Sequence, residues 1–408
     1  MQNALIYSPS FDGHRQVYVY VIAHFLKELG FKIFIAGNTE QIMSNSFYID
    51  RLKNDPDLRI IDTSKYTEGG ANITRTEFFE LQNACETDFT VFTEADNHIS
   101  LFVSQIVLKK NRLRGRLIGI FLRPFYFYCQ NGPLDKLKYF KHLPSRWRSD
   151  DKLFHEFFLK RFSLLNVALY IDENFVDHHY YSQWLPDVFQ QYADLIVKDE
   201  KSEQRVWIEK LDNFKEKNKG RFLFLYFGSP QLRRGYDVLL KMAVENGGCF
   251  IHCGLRYNNE HYTYDINELK SSSNNIDELR SLLNKNGQLF ETDQYIEDPL
   301  CIEYFFKSVS HLVLPYQNFY GSSGVMLQAL SFGIPVLAPE TGIIGLRIKK
   351  YKLGITYNEK NVTSLNTQFN MFKELDPKTF ENNIKTYMNL QSAEQLKRVL
   401  VNTFTVTD

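Results

Sequence analysis

Residues 315–342 read PYQNFYGSSGVMLQALSFGIPVLAPETG. An apolar run gives way to the small residues Gly321, Ser322, Ser323 and Gly324. The segment Val325–Phe332 follows with helical spacing, and after Gly333 and Pro335 a second apolar run begins at Val336. This is a strand, a Gly/Ser turn, a helix, a Gly-Pro turn and a strand, the repeating unit of a parallel α/β sheet. Small residues before a helix let backbone amides approach a phosphate, whose charge the helix N-terminus favours. The same residues also suit a plain strand-to-helix turn, and local sequence leaves both readings open.

The alternation extends in both directions. Downstream of residue 220 the expected strands are Phe222–Phe227, Cys249–Cys253, Gln288–Phe290, His311–Pro315, Val336–Ala338 and Ile355–Tyr357. Helices are expected near 236–246, 276–286, 299–307, 324–332 and 342–350, with a polar surface loop over Tyr257–Asn275. Upstream, Ala4–Ser8 is a strand, Gln16–Leu29 a helix closed by Gly30, and Phe31–Ala36 a second strand. Leu58–Asp62, Phe89–Thr93, Leu117–Leu122 and Ala168–Asp172 read as further buried strands. Helical patterns lie near 40–53, 76–86, 98–110, 151–166 and 174–181. Pro186 and the charge-rich run Lys198–Lys219 mark a linker with a helix leading into the second series.

The fold class that follows is α/β, with two doubly wound Rossmann-like domains. We expect residues 1–190 as one domain and 191–375 as the second, with helices of 376–408 packing back toward the first. Open parallel sheets bind ligands beyond the carboxyl ends of their strands, so two such domains are expected to face a central cleft.

Composition narrows the function. The 408 residues are 44% hydrophobic and 24% charged, a globular balance. Lys plus Arg and Asp plus Glu both number 48, so the chain lacks the basic surplus of a general nucleic-acid binder. The 34 Phe and 24 Tyr supply large cores. The five Cys are odd in number and scattered, which implies no disulfide framework. Cys249 and Cys253 share one strand face and read as core. The start MQNALIYSPSFDG lacks the features of a signal peptide, and no apolar run reaches the ~20 residues of a membrane span. The expectation is a cytoplasmic protein.

The segment 315–342 resembles the C-terminal signature of glycosyltransferase family 4. Gly321, Leu327, Ala329, Gly333, Pro335, Val336 and Gly342 stand where that family has them. The family's two signature Glu are replaced, the first by Tyr320 and the second by Gln328. The resemblance implies a GT-B fold and retaining, metal-independent transfer of a sugar from a UDP- or GDP-linked donor to a hydroxyl. The acceptor would be a saccharide or lipid-linked saccharide, as in polysaccharide biosynthesis, and no cofactor is needed beyond the donor. In the family the first Glu contacts the donor sugar and the second the ribose. Gln328 retains the capacity for a ribose bond, and its other reading is an ordinary polar helix residue.

Other donor-side residues follow from the same resemblance. Arg233 and Arg234, in LFLYFGSPQLRRGYDVLL (223–240), would stabilise the leaving diphosphate; read locally, they are two solvated arginines. Tyr295, in the loop after the third strand, would stack on the base or be a buried loop tyrosine. Gly13 and His14 follow the first strand, where the family has a Gly-rich loop touching donor and acceptor. Arg123 stands in the region where many family members carry a His near the sugar. Glu94, Asp96 and His98 follow the fourth strand and would face the acceptor, although a His at a helix start also fits a structural role.

Phe125–Arg161 interleaves aromatics such as Tyr126, Phe127 and Trp147 with Lys136, Lys138, Arg146 and Arg148. That pattern suits weak contact with an anionic membrane face, a loop over the acceptor, or a solvated face with core aromatics. Two further functions fit the same fold: a non-catalytic homologue that binds sugar nucleotide or supports a partner enzyme, and an epimerase or phosphorylase.

Overall fold

The computed structural model describes residues 2–9, 11, 14–44, 55–64, 73–107, 113–122, 162, 164–171, 182–186, 203–254, 276–296, 298–317, 319, 321–359 and 361–405. The chain divides into two compact units. Unit 1 comprises Met1–Phe189 with Gln391–Asp408, and unit 2 comprises Gln190–Leu390.

Among the described residues unit 1 carries seven strands: β1 (Asn3–Tyr7), β2 (Lys32–Gly37), β3 (Leu58–Asp62), β4 (Phe89–Phe92), β5 (Arg116–Phe121), β6 (Val167–Tyr170) and β7 (Ser182–Trp184). They form one parallel sheet in the order β3-β2-β1-β4-β5-β6-β7. The order reverses between β1 and β4, where doubly wound sheets open a crevice. The inner strands β1, β2, β4, β5 and β6 are nearly continuous apolar runs because both faces are covered, whereas the edge strand β3 is only partly buried. The helix His14–Glu28 buries Tyr18, Val21, Ile22, Phe25 and Leu26 and ends as its spacing predicts. Gly30 adopts φ 82°, and its N–H and that of Phe31 return to the carbonyls of Lys27 and Leu26. The helix Arg75–Ala84 starts on a capping box between Thr74 and Glu77. On one face of the sheet Leu5, Tyr7, Phe34, Phe78, Phe92, Phe102 and Phe121 make a single core.

The helix Ala393–Thr405 belongs to unit 1 although it follows unit 2 in the chain. Leu396 and Leu400 are buried, and Phe404 packs on Phe31 and Phe89 at ring-centroid distances of 5.9 and 5.4 Å. Lys397 Nζ donates to Glu28 Oε2 at 2.6 Å.

Unit 2 holds β8 (Leu223–Phe227), β9 (Cys249–Cys253), β10 (Leu289–Glu291), β11 (Leu312–Val313), β12 (Val336–Pro339) and β13 (Gly354–Tyr357). Two parallel ladders form, β10-β9-β8 and β11-β12-β13. Their inner members β8 and β11 lie side by side without sharing a ladder. Cys249 and Cys253 are both buried in β9. The helix Pro299–Lys307 begins as its sequence dictates, with Asp298 as cap and Pro at the first position.

Three elements depart from the sequence expectation. The helix Glu381–Leu390, expected to pack back toward the first domain with the rest of 376–408, lies in unit 2; only Gln391–Asp408 join unit 1. The strand β7 was not anticipated, because three residues offer too short a run for periodicity to register. The helix Val362–Phe372 was not foreseen either; it buries Leu365, Phe369 and Phe372. The helix expected over 174–181, most of that over 151–166 and the aromatic-basic stretch 125–161 lie outside the described residues.

A Phe404→Ala substitution is expected to cost unit 1 about 3–5 kcal/mol through the lost contacts and the cavity left behind. Urea unfolding followed by amide exchange in β1 and β4 measures this, and an unchanged midpoint would show that the last helix does not stabilise the sheet.

Candidate functional site

In unit 2 the carboxyl ends of β8, β9 and β10 are laced together. The Gly228 N–H donates to the Cys253 carbonyl at 2.8 Å. Thr292 Oγ1 accepts from the Gly254 N–H at 2.7 Å and lies 2.9 Å from the Gly254 carbonyl. From Gly228 the chain runs through Ser229–Gln231 and a short 3-10 turn, Leu232–Arg234, into the helix Tyr236–Glu245. The buried phenol of Tyr226 shapes this loop: its hydroxyl accepts from the Gln231 N–H at 2.9 Å and donates to the Ser229 carbonyl at 2.9 Å. Gly235, at φ 69°, sits so close to β11's end that a Cβ there would lie 2.1 Å from the Pro315 carbonyl oxygen. Only glycine meets both demands.

A second loop meets the first. The Gln317 N–H donates to the Arg233 carbonyl at 2.9 Å. Tyr316 is buried, with its hydroxyl 3.0 Å from Ser323 Oγ and its carbonyl accepting from Tyr357 at 3.3 Å. Ser323 caps the helix Gly324–Ser331 by accepting from the Met326 N–H at 3.2 Å. Its side chain is therefore committed to the helix start and to Tyr316, while Gly321 is buried and Ser322 and Gly324 are half-buried. The first N–H groups of a helix have no partner within it, so this end can receive an acceptor group.

Arg233 is exposed, held by Gln231 Oε1 at 3.0 Å and 5.7 Å from the centroid of Phe319. Arg234 is half-buried, and its Nη1 lies 3.1 Å from where a Cβ on Gly228 would sit. Among the described residues no carboxylate forms an ion pair with Arg234. Two arginines and a helix start thus come from loops that are bonded to each other. Gln328 is 2% exposed on the helix behind them.

Tyr295 is 51% exposed, so the reading of it as a buried loop tyrosine is set aside. Its carbonyl accepts from Gln204 Nε2 at 2.9 Å, while Gln204 Oε1 accepts from the Asp298 N–H at 3.0 Å. One amide clasps both ends of the loop after β10. Tyr320 lies outside the described residues, as do Gly13 and Arg123. His14 is the first residue of its helix.

In unit 1 the acidic group follows β4 at the reversal of strand order. Thr93 donates from its N–H to the Tyr7 carbonyl at 3.1 Å, which ties β1 to β4 at this end. Glu94 is buried, and Asp96 Oδ2 accepts from the Leu122 N–H at 2.6 Å, fixing the exit of β5. His98 is 1% exposed, with its ring 5.1 Å from Tyr7 and 5.8 Å from Phe92. His98 Nε2 and the Tyr7 hydroxyl are buried without a hydrogen-bond partner among the described residues. Burial alone holds the His98 imidazole down, at about 4.

Sequence reasoning did not single out Tyr226, Gln204, Tyr316, Gln317 or Thr292. A tyrosine inside an apolar strand reads as core, and Gln204 precedes its partner loop by some ninety positions. Among the described residues no three His, Cys, Asp or Glu cluster to hold a metal ion, and no helix is long and apolar enough to cross a membrane.

No protein-family model and no curated sequence matches the chain. Solved structures do. The HepE protein of Anabaena in complex with UDP and glucose is 11% identical, with 99% of this chain and 100% of that one covered and a TM-score of 0.65. Sucrose-phosphate synthase of Thermosynechococcus elongatus is 12% identical over 99% and 98% of the two chains, at a TM-score of 0.62. A glycosyltransferase of Rickettsia africae is 12% identical over 100% and 99%, at 0.60. The likeness is one of fold, and the fold is GT-B: two Rossmann-like α/β domains with parallel sheets.

The buried His98 gives a pH signature. Its folded value of about 4 lies below its ordinary 6.5, so between these limits the unfolded chain binds a proton that the folded one refuses. Stability therefore falls by about 3 kcal/mol as pH drops through this window and loses nothing more from this group below it. Urea midpoints measured across the window should flatten in a His98→Phe variant, and parallel curves would contradict the burial.

Proposed function

We propose that the protein is a glycosyltransferase that moves a sugar from a nucleoside diphosphate sugar to a hydroxyl acceptor, with unit 2 holding the donor. The observation that carries this reading is the joined pair of loops, one carrying Arg233 and Arg234 and the other leading into the helix that starts at Gly324. A diphosphate gains negative charge as the sugar departs. A forked guanidinium and unpartnered amides, fixed before the reaction, stabilise that charge more than they stabilise the bound donor. Arg234, half-buried and without a carboxylate of its own among the described residues, is suited to this role.

The chemistry then needs little else from unit 2. The C1–O bond to the diphosphate breaks, and the acceptor oxygen attacks C1. A departing phosphate oxygen takes the acceptor's proton, so no separate base is required and the anomeric configuration is retained. The arginines supply the counter-charge that a divalent cation would otherwise bring. Tyr295, exposed beside a loop clasped by Gln204, offers a surface for the nucleobase, and Gln328 offers an amide to the ribose. A UDP-linked sugar is the first donor to test, since the similar Anabaena protein is known in complex with UDP and glucose. Glu94, Asp96 and His98 are assigned to the acceptor side on their position at the carboxyl end of β4.

A second reading is donor binding without transfer. Tyr320 and Gln328 at the two signature acid positions favour it, because neither carries a carboxylate. Donor hydrolysis separates the two: a transferase releases some sugar to water and a binding protein releases none.

Arg234→Ala is expected to lower nucleotide-sugar turnover by about 10²–10³-fold with an unchanged melting temperature in the absence of ligand. It should also abolish the thermal stabilisation that UDP or GDP gives the wild type. Turnover at the wild-type rate in this variant would refute the assignment.

A further inference from the structure

Beneath the Gly228–Gly235 loop lies a polar chain that the reaction itself does not use. His252, in the middle ladder strand β9, is 0% exposed. Its Nε2 lies 3.1 Å from the Gly228 carbonyl oxygen. A carbonyl only accepts, so Nε2 carries the proton and donates. The other ring nitrogen, Nδ1, is buried 3.6 Å from Glu291 Oε1, too far for a hydrogen bond. Glu291 is gripped in turn by Arg280, from the helix Ile276–Lys285, through Nε to Oε1 at 3.2 Å and Nη2 to Oε2 at 2.8 Å. The Tyr236 hydroxyl approaches Glu291 Oε1 at 3.5 Å. The imidazole is walled by Tyr226 and Tyr236, with ring centroids at 5.5 and 5.3 Å. Burial pushes the Glu291 carboxyl up, but the two bonds from Arg280 and the nearby His252 ring outweigh it and bring the group to about 2.

Such a chain is a costly way to fill a core. Desolvating a carboxylate, a guanidinium and an imidazole offsets most of what their attraction returns, and apolar side chains of the same volume often serve stability as well. What the chain does that apolar residues cannot is hold one carbonyl. Gly228 is the residue where β8 ends and the arginine loop begins. Its N–H is fixed by the Cys253 carbonyl and its carbonyl by His252, so both polar groups of this glycine answer to β9. Gly254 leaves the space: a Cβ there would come within 2.4 Å of the same carbonyl oxygen. Arg234 Nη1 lies 3.1 Å from where a Cβ on Gly228 would sit, so a turn of the Gly228 peptide would change what that guanidinium packs against.

We infer that His252, set against the Glu291–Arg280 pair, is a positioning residue: it locks the Gly228 peptide and thereby sets the geometry of the Arg233–Arg234 loop for a nucleoside diphosphate. The last clause rests on the donor-binding reading above; the lock itself does not.

The test uses the full chain with His252→Leu, which removes the donor, and His252→Gln, whose amide N–H restores one at similar reach. Hydrogen exchange is read at the hydrogen-bonded amides of Gly228, Gln231 and Arg234 without ligand, and UDP affinity is read by calorimetry. His252→Leu is expected to speed exchange at these amides about 10-fold and weaken UDP binding about 10-fold, and His252→Gln to recover most of both. Should the leucine variant fail to fold, Glu291→Gln keeps the size and a bond to Arg280 but removes the charge facing Nδ1. It is expected to speed exchange at the same amides by about 3-fold. Unchanged loop exchange in His252→Leu or in Glu291→Gln, or a His252→Gln variant as impaired as His252→Leu, overturns the inference. A wild type that binds none of UDP, GDP and ADP, with loop exchange still dependent on His252, refutes the donor-binding reading and leaves the lock standing.

Discussion

The Gln317 N–H reaches the Arg233 carbonyl because Gly235, with no Cβ, lets the helix start slide against Pro315. Two loops from different ladders of unit 2 become one surface at that point. Each loop alone is an ordinary strand-to-helix connection. Joined, they bring a paired cation source and an open helix N-terminus to the carboxyl end of the sheet, where doubly wound folds bind ligands. The other features of this end serve the same register: Tyr226 under the first loop, Tyr316 and Ser323 under the second, and Thr292 and Gly254 closing the far side. A side chain on Gly235 would separate the loops before it disturbed any ligand.

The supports around this surface are mostly polar groups satisfied at short range by backbone. Such bonds contribute modestly each, roughly 1 kcal/mol, but leaving one unmade beneath a loop costs more than making it returns. Their value is therefore in excluding alternative loop conformations. A preformed loop spends no binding energy on ordering itself, which matters for a site whose task is to stabilise charge that appears only as a bond breaks.

Much of the architecture was legible from the chain alone. The alternation of apolar runs with helical spacing placed twelve of the thirteen strands among the described residues, because buried parallel strands are continuous apolar runs that stand out from amphipathic helices. The exception, β7, is three residues long. The site was legible in its glycines and less so in its polar partners. Gly235 announces close approach by its type. Tyr226, His252 and Glu291 sit in strands or at strand ends where their neighbours are core residues, and nothing in the local pattern marks which of them hold a loop. His252 and Glu291 are thirty-nine positions apart and meet only because β9 and β10 are adjacent. Long-range polar pairing of this kind has no sequence period.

The helix Ala393–Thr405 carries a consequence for how the chain is made. It seals the sheet of unit 1 through contacts such as Lys397 with Glu28, 369 positions apart, and unit 2 lies between these residues in the chain. During synthesis the strands of unit 1 leave the ribosome first but wait for their last helix until unit 2 has been translated. Unit 2 is contiguous and closes within its own segment. The order of completion is thus the reverse of the order of emergence, and for that interval Phe31 and Phe89 lack the ring of Phe404 that covers them in the finished protein. A message truncated after unit 2 would yield a complete second unit attached to a first one with that flank open.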